Sequence, residues 1–333
     1  MINHSTLVLK SLSHYAIFTA FYRLNPAICG LTQNVYILIT FRIIQGIGAC
    51  SGPLMARAII NDIYSTKESA KLLGVIASIM GIVPAASPVI GSYMTYFFGW
   101  RSNFLLMFIF CLFALLLLQF TLNETHLPSS ADRINTKELL SKYLAVITDR
   151  CFIVYCTSMC LFYSGFFTYI SQAPLLFKDL YNIDSRNFSH YFAIIILAYA
   201  LGSFLASRAH KYLNIHFVAL LASSTGLIGT ILLFAVKSFH HYLLLSFLPI
   251  CIYALATGLI LSTGMAGSMK TMQKHLSGAA SGMLGFLQML FSACISSFAS
   301  FLYDKTLYPL SLLLFITAIL AFSLLVKLGK RGE

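Results

Sequence analysis

The chain has 333 residues, of which 59% are hydrophobic and 10% charged, with a formal net charge of +12. A mean hydropathy of +0.83 excludes a disordered chain and a water-soluble domain of ordinary composition. The charge does not read as a nucleic-acid footprint, which gathers basic residues on one face or helix; here they are spread through short segments between apolar runs.

A helix needs roughly 20 apolar residues to cross the hydrocarbon core of a bilayer. Runs of that kind predict spans at 14–29, 35–61, 72–96, 102–123, 151–177, 188–207, 216–236, 243–269, 276–302 and 307–326. The expected architecture is all-α: a polytopic membrane bundle of nine to ten transmembrane helices.

The first span is the poorest, because HYAIFTAFYRLNPAIC carries Arg23, Asn25 and Pro26 in its middle. A charge at the bilayer centre costs about 2.5–3.5 kcal/mol on insertion scales, and proline removes a helix hydrogen bond. The second span has Arg42 near its start, followed one turn later by Gln45. Such a pair suits a polar cavity in which the arginine organises substrate or proton movement; snorkelling to the outer interface is the competing reading. Gly46, Gly48, Cys50 and Gly52 follow at even spacing and suit close helix packing. Arg57, Asn61 and Asp62 close this span, and Arg57 with Asp62 is the candidate cytoplasmic gate.

Gly74, Gly81, Pro84, Pro88 and Gly91 all fall in the third span. Two prolines and three glycines weaken a helix and let it bend, which suits a segment that moves between inward- and outward-open states. The longest polar stretch, 124–150, then divides the chain, and 136–147 within it is predicted as a short amphipathic surface helix. The expected organisation is an incomplete N-terminal bundle over 1–123, a cytoplasmic linker over 124–150 and a six-helix bundle over 151–333. Past the linker, 155–172 is rich in Tyr and Ser and contains Tyr163 and Gln172, while Gln288 sits in the middle of a later span. Aromatic rings with polar tips suit a broad pocket for a drug-sized molecule.

The basic residues also sort by side. One set of loops holds Lys10, Lys67, Lys71, Arg133, Lys137, Lys142, Arg150, Arg208, Lys211, Lys270, Lys274, Lys327, Lys330 and Arg331; the other holds Arg101, Lys178, Arg186, Lys237 and Lys305. Cytoplasmic loops carry the excess of Lys and Arg, so the carboxyl end and the 124–150 linker are expected in the cytoplasm. The eight cysteines lie in or beside spans without a C-x-x-C pair and read as small apolar fillers, not metal ligands. Acids sit near span ends or in loops, and no catalytic motif is present, so an enzyme is not expected. G-I-G-A-C-S-G at 46–52 and G-L-I-L-S-T-G at 258–264 each precede a basic loop and a Gly-containing span, a faint echo of two related halves.

The run FRIIQGIGACSGPLMARAIINDIY, with LLGVIASIMGIVPAASPVIGSYMTYFFGWRSNF after it, resembles the drug-efflux branches of the major facilitator superfamily, above all the bicyclomycin-resistance (Bcr/CflA) type. Arg42, Gln45, Gly46 and Gly48 match that family's arginine motif. The antiporter motif matches at Gly74, Pro88 and Gly91 and departs at Val83, Ser87 and Ser92; Gly99-Trp100-Arg101 and SGAASGMLGFLQ add to the likeness. The resemblance implies two pseudo-repeated bundles in a bacterial cytoplasmic membrane. It also implies alternating-access export of small amphipathic drugs or metabolites, driven by a proton gradient without a bound cofactor. The expected partners are that substrate and the bilayer, with no nucleic acid, and the chain is expected to be a monomer unless another fragment supplies helices.

Members of the family have twelve helices, and the first two, with the basic loop motif after them and the acid usual in the first helix, have no counterpart here. The sequence therefore also admits an N-terminally truncated, non-transporting remnant, or one part of a split transporter.

Overall fold

The structure is a computed structural model that describes residues 26, 28–49, 86–121, 136–235, 243–273 and 276–329, with single positions 60, 68, 72 and 83. The helices among them are α1 (Val35–Ala49), α2 (86–98), α3 (Ser102–Thr121), α4 (Thr136–Thr148), α5 (Arg150–Tyr181), α6 (Ser185–Ala209), α7 (Ile215–Ala235), α8 (Leu243–Met269), α9 (Ser277–Phe301) and α10 (Tyr308–Gly329). No strand occurs among the described residues. Six of these helices, α5 to α10, are long and apolar enough to cross a membrane. The all-helical, polytopic expectation therefore holds. The chain divides into two compact units, Met1–Ala131 and Asp132–Glu333. The predicted span 14–29 lies almost wholly outside the described residues.

In the first unit, α2 and α3 meet at a tight turn. Gly99 adopts φ 79°, a left-handed conformation that favours glycine, and its N–H donates to Thr95 O at 2.9 Å. Trp100 then packs edge-on against Phe104, and the Arg101 guanidinium lies 5.0 Å over the Trp100 ring. Asn103 Nδ2 donates to Thr95 Oγ1 at 2.7 Å and ties the two helices together again.

The second unit is built around α5, which packs on α8, α9 and α10; α8 also packs on α6 and α7, and α10 on α7. Asp149 starts α5 by accepting the Phe152 N–H on its side chain at 2.6 Å, a capping bond that meets one of the four unpaired donors at a helix start. The same carboxylate accepts from Thr271 Oγ1 at 3.1 Å and so links the start of α5 to the end of α8. At the other end Asn182 takes φ 50° and its N–H donates to the Lys178 and Phe177 carbonyls, a left-handed cap. The predicted amphipathic helix is present as α4. It does not lie free: Val146 is fully buried in a cluster with Phe152, Cys156, Met159, Cys160, Ala280 and Leu284.

The α6–α8 seam is close-packed. A Cβ added to Gly258 would stand 2.0 Å from Tyr199 O and 2.8 Å from Ser203 N, and one added to Gly202 would stand 2.0 Å from Leu255 O. Each helix thus presents a bare Cα to the other's backbone, a separation only glycine permits. Ser203 and Ser262 bridge the same seam at 2.6 Å.

Where α6 ends, His210 folds back and its Nε2 meets Thr263 Oγ1 at 3.1 Å. Thr263 gives its own proton to Leu259 O, so His210 is the donor to Thr263. Burial pulls the His210 pKa below its ordinary 6.5. As pH falls, the unfolded chain then takes up this proton before the folded one does, so stability is retained above about pH 6.5 and lost as pH drops through and below it. We expect the thermal midpoint of the purified protein to fall between pH 7.5 and 5.5, and His210→Gln to remove part of that slope. An unchanged slope in the variant would assign the pH response elsewhere.

Candidate functional site

In the first unit the arginine and glutamine singled out from sequence do meet. The i, i+3 spacing places them on neighbouring faces of one helix turn, and Arg42 Nη1 donates to Gln45 Oε1 at 3.2 Å. Gln45 is buried, and its Nε2 approaches Met107 Sδ at 3.1 Å. The exposed Arg42 guanidinium lies 4.6 Å over the Phe104 ring. A cation over an aromatic face is worth about 0.5–2 kcal/mol, and a hydrogen bond to a charged group about 1.5–3 kcal/mol. Together these are comparable with the insertion cost of an arginine, so these two contacts offset much of the cost of placing a charge in an apolar helix. Gln45 uses one of five guanidinium donors.

Two elements of this arrangement were not legible in advance. Phe104 and Met107 lie in the α3 run SNFLLMFIF, where nothing marks one apolar side chain from the next. Of the motif glycines, Gly46 and Gly48 lie in α1. Among the described residues nothing comes within 4 Å of a Cβ added at Gly46. Pro88 and Gly91 lie in α2, with Asn103 Oδ1 3.3 Å from a Cβ at Gly91. Gly74, Gly81 and Pro84, and the gate pair Arg57 and Asp62, lie outside the described residues.

In the second unit Tyr163 is half-buried on α5 and stacks on Phe167, and Gln288 of α9 lies near its hydroxyl. Gln172 is buried on the same helix nine residues further on, about 14 Å along the axis at 1.5 Å per residue. Close to it, Ser171 Oγ meets Ser296 Oγ of α9 at 2.9 Å. Tyr163 and Gln288 therefore belong together, whereas Gln172 stands apart from them beside the serine bridge.

One deeply buried tyrosine of the unit was missed. Tyr253 of α8 is 2% exposed, stacks on Phe162, donates to Phe162 O at 3.3 Å and meets Thr317 Oγ1 of α10 at 3.5 Å. The signal was a lone tyrosine inside the run CIYALATG, where a buried hydroxyl must find partners. Among the described residues no group of three His, Cys, Asp or Glu side chains is placed to hold a metal ion.

The model of the Major Facilitator Superfamily matches residues 11–297. The chain is 28% identical over 306 residues to the uncharacterized MFS-type transporter YdgK of Bacillus subtilis, covering 90% of this chain and 74% of that protein. It is 26% identical over 310 residues to the multidrug resistance protein MdtL of Shewanella oneidensis, covering 91% and 75%. It is 22% identical over 167 residues to a bicyclomycin resistance protein homolog of Haemophilus influenzae, covering 50% and 42%. In fold it is similar to a D-xylose–proton symporter, with a TM-score of 0.70 at 14% identity over 93% of this chain and 79% of that one. A bacterial homologue of the human lysosomal transporter Spinster gives the same TM-score at 13% identity, over 95% and 81%. Six membrane-length helices, the paired Arg42 and Gln45 of the arginine motif and a family match across most of the sequence lead to one conclusion: this chain is a multi-pass membrane transporter, not an enzyme, and belongs to the Major Facilitator Superfamily.

Proposed function

We propose that the protein exports small amphipathic compounds from the cytoplasm by alternating access, coupled to proton entry, as a transporter of the bicyclomycin-resistance branch. The observation that carries this reading is similarity along nine-tenths of the chain to a protein named for multidrug resistance, with half of it similar to a bicyclomycin resistance homolog. The side chains support it. Arg42 offers a cation of which Gln45 engages one donor, and Tyr163 and Gln288 offer a polar-tipped aromatic surface. Sites of this composition take ligands with an apolar body and few polar groups. The carboxyl end lies in the cytoplasm, following the excess of Lys and Arg on that side. The bilayer is the protein's setting, nucleic acid is no partner, and the transporter works as a monomer unless another chain adds helices.

The test is expression in a drug-sensitive, efflux-deficient host. A raised inhibitory concentration for at least one amphipathic drug is expected, and it should vanish when the proton gradient is collapsed. Unchanged sensitivity across a wide compound panel, with the protein shown to be inserted in the membrane, would overturn export.

A further inference from the structure

We propose that a groove at one end of the second unit binds an anionic phospholipid, independently of the compound carried. The groove measures about 670 Å³ and lies between α6 and α7 with α8 behind. Phe204 and Leu205 form one wall, Leu221 and Thr225 the other, and Leu255 and Leu259 the back. Arg208, Lys211 and Tyr212 stand at its mouth, and all three are exposed.

The mouth is a fixed structure. Beyond α6 the backbone closes a turn, in which Lys211 N–H donates to Arg208 O at 3.2 Å and Tyr212 N–H to Ala209 O at 3.0 Å. The Arg208 guanidinium lies 5.1 Å over the Phe204 ring, which sets it at the head of the apolar wall. Among the acids of this unit whose side chains are described, Asp149 is engaged by Phe152 and Thr271. Asp179, Asp184 and Asp304 stand at the opposite helix ends. Two cations thus face the mouth without a described carboxylate to neutralise them.

Charge and shape together name the occupant. The flanking helices are of membrane-crossing length, so an apolar slot between them is in reach of an acyl chain. Headgroups gather at helix ends, where Arg and Lys meet phosphate. A zwitterionic lipid carries its own cation beside the phosphate, whereas phosphatidylglycerol leaves its charge for Arg208 and Lys211. Basic residues between helices near an anionic leaflet select such headgroups. The expected preference for the anionic lipid is about tenfold, equal to ~1.4 kcal/mol.

The experiment uses the purified full chain in detergent, titrated with phosphatidylglycerol or with phosphatidylcholine of identical acyl chains, and bound lipid counted by native mass spectrometry. The wild type is expected to retain phosphatidylglycerol in preference. The double variant R208Q/K211Q should lose that preference, and Leu221→Trp, which fills the slot and leaves both cations, should lose bound lipid of both kinds. Lys211→Gln alone, on an exposed turn that tolerates the change, should lose part of the preference and keeps the test decisive if the double variant misfolds. Three results would each overturn the proposal: no preference in the wild type, an undiminished preference in R208Q/K211Q and K211Q, or an equal loss in Lys305→Gln at the opposite end.

Discussion

Gly258→Ala is expected to be among the most damaging single-atom additions to this protein. The new methyl group would sit 2.0 Å from Tyr199 O and 2.8 Å from Ser203 N. Both are backbone atoms, so no rotamer change relieves the clash. The α6 and α8 backbones must part by roughly an ångström to reach ordinary contact, and the dispersion energy along the whole seam weakens with that gap. Overpacking of a close-packed interior costs about 1–3 kcal/mol, occasionally more, and a backbone clash belongs at the upper end. Gly202→Ala meets Leu255 O at the same 2.0 Å and should cost as much. The double variant should cost less than the sum, because one parting of the helices accommodates both methyl groups. Gly285→Ala, at an exposed position of α9 where nothing among the described residues lies within 4 Å of the added Cβ, is the control; removing glycine from a helix interior there is worth about 0.5–1 kcal/mol in favour of the fold. Thermal unfolding in detergent reads all four. Equal midpoints for Gly258→Ala and Gly285→Ala would show that the seam is not tight.

Arg42→Ala is the second large effect, and it falls on transport, not on stability. The side chain is exposed and held by one hydrogen bond and one aromatic face, so its removal uncovers little. If the cation organises substrate or proton movement, the lost charge-assisted interaction, about 1.5–3 kcal/mol, slows the step it serves by roughly ten- to 150-fold. Arg42→Lys keeps the charge but loses the planar fork that Gln45 and Phe104 engage, so it should fall between. Initial efflux rates at matched membrane abundance are the measurement. Wild-type rates for Arg42→Ala would remove Arg42 from the substrate path.

Much of this architecture was legible because lipid leaves the backbone few choices. Apolar runs must satisfy their own N–H and C=O groups, so run and helix nearly coincide. The span read as 243–269 is α8 to the residue, and 276–302 and 307–326 differ from α9 and α10 by three residues at most at either end. The rule fails where water begins. The span read as 151–177 stopped at Lys178, but α5 continues to Tyr181 because a solvated helix end tolerates Lys178 and Asp179 and Asn182 supplies the cap.

Pairings across the fold were less legible. Arg42 and Gln45 share one helical turn, so spacing alone proposed their contact. Gly258 stood in a noted glycine run, but its counterpart Gly202 is on another helix, and no local period joins the two. The same holds for Tyr253 with Thr317, and for Arg42 with Phe104. Single-sequence reasoning locates such residues by type and leaves their partners open.

The length of α5 reaches beyond its own bundle. Its 32 residues extend about 48 Å at 1.5 Å each, against a hydrocarbon thickness of about 30 Å. Either the helix leans strongly or its last turn clears the lipid tails. Tyr303 donates to Asp179 on that turn at 2.9 Å, fastening the α9–α10 connection to it. The second unit therefore carries a braced helix end on this side, within reach of a water-soluble antibody or protease.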